Sequence, residues 1–176
     1  MTDAAAAGEP TGALGAFGRL LGALDWIMSK VVIASMAIMV VVVIVQVFLR
    51  YVLNISLDWA EEISRLFFVW SVFFAIPLGI KRGAHVGVAL ITERLPLLMQ
   101  SGLFRIMSAL AAVLMAVVAY EAGLLTKDQW DEPMSTLDFS IGFFMLPLCI
   151  GAVHAFLHLV FGIFNGPPPK QELATE

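Results

Sequence analysis

Long apolar runs separated by short polar clusters dominate the chain. Between Lys30 and Arg50 lies VVIASMAIMVVVVIVQVFL, nineteen residues without a charge. As a helix it covers about 28 Å, enough to cross a hydrocarbon core. Phe139 to Phe164 is a second uncharged run, long enough to cross, with Pro147 as a point of kinking. The two middle runs are shorter. Arg65 to Lys81 alone would reach only about 22 Å, so the second helix must begin earlier. Asp58 is a suitable N-cap and Glu61 follows three positions later, as in a capping box. The second helix is therefore predicted to start at Asp58 and to carry Glu61, Glu62 and Arg65 within it. In the third, Arg105 and Glu121 bracket the apolar stretch, so one or both ride at the interface.

The predicted fold is an all-α integral membrane protein with four transmembrane helices. Its spans are about 27–50, 59–80, 100–123 and 139–164, in one membrane domain of residues 19–165. Residues 1–18 and 166–176 read as disordered ends. Val86, Val88, Leu90 and Ile91 mixed with Thr92, Glu93 and Arg94 suit a short amphipathic cytoplasmic helix between helices two and three.

Composition agrees with a bilayer. Of 176 residues 60% are hydrophobic and 14% charged, against roughly 25% charged in soluble domains. The position of the charges matters more than the net −4. The middle loop carries Lys81, Arg82 and Arg94 against Glu93, whereas the last loop carries Lys127 against Asp128, Asp131, Glu132 and Asp138. The basic bias puts the middle loop and both termini in the cytoplasm. Trp26 then falls at the inner interface, and Tyr51, Trp59, Tyr120 and Trp130 at the outer one. Trp70 lies deep in the second span, where core packing is its expected role.

Arg50, Glu61, Glu62, Arg65 and Glu121 reach a similar depth. Glu61 and Arg65 are spaced i,i+4 with the acid first; Glu62 and Arg65 are i,i+3. They can be solvated interfacial charges, or a cluster that fixes the first three spans or docks a partner. The cost of facing charge to lipid favours the cluster. Two stripes of small residues, Ser108, Ala112, Ala116, Ala119, Gly123 and Gly151, Ala155, His158, Gly162, permit close helix approach, either within the bundle or against another protein.

Little points to catalysis. Cys149 is the single cysteine, so no internal disulfide or CxxC pair can form. Phosphate loops, serine nucleophile motifs and HExxH are missing. His154 and His158 share a face of the last helix, but the only other histidine is His85 and a metal needs further ligands. Interhelical hydrogen bonding is their expected role. No enzyme activity, cofactor, metal or nucleic-acid partner is expected.

The ordered set Arg50-Tyr51, Trp59-Ala60-Glu61-Glu62, Arg65, Phe68-x-Trp70 and His85, on a four-span chain of this length, resembles the small membrane subunit of tripartite ATP-independent periplasmic (TRAP) transporters, the DctQ-like family. The motif-bearing part is about 46–88. The resemblance implies a bacterial inner-membrane scaffold, surrounded by lipid, that forms a heterodimer with a large TRAP membrane subunit. That subunit would move an organic acid delivered by a periplasmic binding protein, driven by sodium. Substrate and sodium sites belong to the large subunit in this family, so none is carried over. Arg50, Trp59, Glu61, Glu62, Arg65 and His85 are candidates for structural or docking roles. Two other classes of function stand beside this one: a four-helix membrane haem or electron carrier using His154 or His158, and a self-assembling structural membrane protein.

Overall fold

In the computed structural model the described residues are 13–81 and 97–165, and they form four helices. These are α1 (Ala13–Val52), α2 (Asp58–Lys81), α3 (Leu97–Asp128) and α4 (Gly142–Asn165). All four are long and apolar enough to cross a membrane. His85, the region of the amphipathic helix at 86–94, and the tail 166–176 lie outside the described residues.

The helix α1 begins at Ala13, ahead of the boundary at residue 19 that hydropathy suggested. The early turns are held by aromatic packing: the Phe17 ring lies 5.8 Å from that of Phe161 on α4. Along α1 the covered positions run from Leu21 through Asp25, Met28, Val32 and Ser35 to Met39, Val42, Gln46 and Leu49. The steps alternate four and three, the spacing of a left-handed helix pair. The polar residues Asp25, Ser35 and Gln46 of this otherwise apolar helix share that seam. The rest of its surface is bare: Ile33, Val41, Ile44 and Phe48 are all more than half exposed.

Asn54 closes α1. It adopts φ 55°, a left-handed conformation that asparagine tolerates better than most residues. The Ile55 N–H returns to the Leu49 carbonyl at 3.1 Å, six residues back, so the chain folds over the last turn as it leaves the helix. The start of α2 at Asp58 agrees with the capping signal, one position inside the helix rather than before it. Asp58 accepts a hydrogen bond from the Ser56 hydroxyl at 3.2 Å.

The packing order is α1, α2, α4, α3. α1 meets α2, α2 meets α4, and α4 meets α3, while α1 touches α4 only slightly. The arrangement is closer to a slab than to a square bundle, with α4 the most enclosed helix and α1 the least. The small residues of α3 face inward for the most part. Ser108, Ala112 and Ala122 are buried, and Cys149 of α4 rests over Ala119 and Gly123. Ala116 is exposed. Internal packing therefore accounts for most of that stripe.

The middle of the slab is held by two prolines. Pro77 and Pro147 are both fully buried. Each lacks an N–H, so each leaves unpaired the carbonyl four residues earlier, Phe73 and Phe143. The Trp70 indole N–H donates to the Phe143 carbonyl at 3.0 Å. The Phe73 carbonyl projects at Gly151, where an added Cβ would lie 2.5 Å from its oxygen. Each helix thus meets the break in the other. Trp70 does more than fill space, since it satisfies an acceptor that α4 cannot satisfy itself.

Candidate functional site

Polar side chains gather at the two ends of the slab. At the end holding the start of α2, Arg65 Nη2 lies 2.9 Å from Glu61 Oε1, the expected i,i+4 pair. Both side chains are well exposed, 66% and 72% respectively. Glu62 does not join them. Its carboxylate accepts the backbone N–H groups of Ser135 and Thr136, each at 3.0 Å, and the Thr136 hydroxyl. Two oxygens thereby hold a loop 73 residues away, the α3–α4 connection.

That connection is a small clasp. Met134 donates its N–H to the Phe139 carbonyl at 2.7 Å, and Ile141 to the Glu132 carbonyl at 2.8 Å. Pro133 and Ser140 pair as an isolated antiparallel bridge. The Trp130 ring stacks at 5.6 Å on Phe143. Gly142 is required beneath it, because a Cβ there would come within 2.9 Å of the Trp130 ring.

The expected cluster across the first three spans is therefore corrected. The Glu61–Arg65 pair stays within α2, and Glu62 reaches the loop before α4 rather than α1 or α3. Arg50 and Glu121 are exposed and make no ion pair among the described residues. Trp59 is 43% exposed at the same end. A loop offering two adjacent N–H groups was a stronger partner for Glu62 than one guanidinium already engaged.

The opposite end holds a group that the sequence did not reveal. Asp25, on the covered seam of α1, is 5% exposed. Its Oδ1 lies 2.7 Å from His158 Nε2 and 3.0 Å from His154 Nε2, both on α4. Its Oδ2 lies 2.7 Å from Lys81 Nζ at the end of α2. One carboxylate thus joins three helices. His154 is 3% exposed, and neither of its ring nitrogens forms a well-directed hydrogen bond. The ring centroids of His154 and His158 are 4.8 Å apart. Both imidazoles turn to the same carboxylate oxygen, so among the described residues no pair of histidines faces across two helices as axial haem ligands would. The interhelical hydrogen bond expected of these histidines is present at His158; its partner, 133 residues away, is what sequence spacing could not supply.

Comparison with known proteins bears on most of the chain. The family described as tripartite ATP-independent periplasmic transporters, DctQ component, matches residues 39–166. A putative TRAP transporter small permease protein of Haemophilus influenzae is 28% identical over 149 residues, 85% of this chain and 90% of its own length. The isethionate TRAP transporter permease protein DctMQ of Oleidesulfovibrio alaskensis is 28% identical across 75% of this chain, which spans 22% of that longer protein. The sialic acid TRAP transporter small permease protein SiaQ of Vibrio cholerae is 30% identical over 66 residues, 38% of each chain.

Proposed function

Because the chain belongs to the DctQ component family of TRAP transporters, we propose that it serves as a static scaffold for a large permease subunit in the bacterial inner membrane. The observation that carries this is the fastening of α2 to its neighbours at three depths. Glu62 ties it to the α3–α4 loop at one end. Trp70 and Pro77 lock it to α4 in the middle. Lys81 joins it through Asp25 to α1 and α4 at the other end. A protein that itself undergoes transport motion needs an interface able to slide; these three ties oppose sliding.

The bare apolar flank of α1 then lies against lipid or the large subunit. The exposed Glu61–Arg65 pair, with Arg50 and Trp59, forms a docking rim near the outer surface. Uptake is sodium-driven and dependent on a periplasmic binding protein, and the cargo is an organic acid. The basic middle loop supports cytoplasmic termini.

Purification in mild detergent tests the core of this reading: a much larger membrane subunit should co-elute in equal amount, and deletion of the gene should abolish binding-protein-dependent uptake. Retained uptake in the deletion strain would refute it. Cysteine labelling at the two termini, inaccessible from the periplasm, tests the orientation.

A further inference from the structure

We propose that Asp25, His154 and His158 form a binding site for one divalent transition-metal ion of the zinc class. The three ligand atoms lie within 4.8 Å of one another. Two imidazole nitrogens and a carboxylate oxygen are a donor set suited to zinc and its borderline neighbours. Tetrahedral bonds of zinc length place neighbouring ligand atoms about 3.4 Å apart. The Nε2 to Oδ1 separations of 2.7 and 3.0 Å need only a small opening to reach that, while the two imidazoles, whose ligand atoms lie within 4.8 Å, must draw together.

Two further observations point to a ligand rather than to a closed polar network. His154 is almost wholly buried, its Nε2 lies 3.0 Å from the shared carboxylate oxygen, and neither ring nitrogen forms a well-directed hydrogen bond. A buried imidazole whose nitrogens make no well-directed bond asks for an explanation, and a lone pair placed to coordinate an ion is one. Lys81 meanwhile takes the other carboxylate oxygen. A metal-binding carboxylate is commonly oriented in this way by an outer partner, which leaves Oδ1 directed at the ion. The Lys81 side chain is 54% exposed, so its ammonium can swing toward water as a dication enters. Cys149 takes no part, since its sulfur lies over the Ala119 carbonyl.

The ligands come from α1 and α4, helices that otherwise barely touch. A bound ion would pin the early half of α1 to the last turns of α4. The site stands independently of the scaffold assignment, because every readout below is made on the isolated full-length chain.

The test uses tag-free protein in detergent, stripped with a chelator and titrated with Zn²⁺. One ion should bind per chain, with a dissociation constant in the micromolar range or tighter, and should raise the melting temperature. Zinc-edge X-ray absorption on the wild-type chain should show two imidazoles in the first shell. Asp25→Asn, and separately the pair His154→Gln with His158→Gln, should each weaken binding at least about tenfold. A shell without two imidazoles, or equal binding by wild type and both variants, would overturn the site. So would saturation well below one equivalent. The absorption measurement needs no variant, so a failure of either substitution to fold leaves the test decisive.

Discussion

Replacing Gly151 with alanine probes the centre of the slab. The new Cβ would sit 2.5 Å from the Phe73 oxygen and 3.2 Å from its carbonyl carbon. Neither neighbour is a flexible side-chain tip, so the helices themselves must separate. Reaching the 3.0 Å below which real Cβ contacts essentially never fall takes a shift of 0.5 Å. A shift of that size along the same interface would stretch the Trp70–Phe143 hydrogen bond from 3.0 Å to the outer limit of such bonds. Overpacking costs about 1–3 kcal/mol, and an orphaned buried carbonyl costs about 1–3 kcal/mol. The two overlap, because one displacement causes both. For a chain of this size, 1–3 kcal/mol corresponds to roughly 3–10 °C in melting temperature. The assay is thermal unfolding of the detergent-solubilised chain for Gly151→Ala, Trp70→Phe and the double variant. The double should cost clearly less than the sum of the singles, since contacts broken together cannot be broken twice. A Gly151→Ala chain melting within about 1 °C of wild type, or strict additivity in the cycle, would refute the reasoning.

Other perturbations reach the remaining ties. Pro147→Ala restores a backbone N–H for the Phe143 carbonyl, so it should soften the loss caused by Trp70→Phe; an equal loss in both backgrounds would contradict the proline pairing. Glu62→Ala should raise hydrogen exchange at Ser135 and Thr136 while leaving the helices protected, and unchanged exchange there would show that the loop holds itself. Arg65→Glu should lower the yield of the complex with the large subunit, with partial rescue by Glu61→Arg and none by Glu62→Arg, because Glu62 is committed to the loop. Asp25→Ala leaves Lys81 and two histidines facing an empty position and should cost on the order of 1–3 kcal/mol, reduced from the figure for a buried pair because Lys81 is half exposed; thermal unfolding reads this directly.

The helices were legible because a bilayer imposes long uncharged runs, and the start of α2 was legible because the charges before Phe67 had to belong to some element. The Glu61–Arg65 pair was legible because it is local. What distance in sequence conceals was not. Glu62 found its partners in a loop whose shape depends on a bridge between Pro133 and Ser140. Asp25 lies ahead of the nineteen-residue uncharged run, and nothing local in the sequence singles it out. A signal did exist: Asp25, Ser35 and Gln46 fall on one alternating seam of α1, and three polar residues sharing a face of an apolar helix mark the side turned to protein. The prolines were half legible, since the carbonyl each would orphan follows from counting back four residues, but the residue that answers it sits on another helix.

A gap in a helical ladder is ordinarily a weak point where a rod bends. Here two such gaps are set opposite each other, and Trp70 and Gly151 engage them like teeth in notches. Sliding one rod past the other by a helical turn, about 5.4 Å, would disengage both teeth at once with no equivalent notch waiting. The pair therefore behaves as a detent with a single stop, and a sideways load on either helix would pass through it as rigid-body thrust.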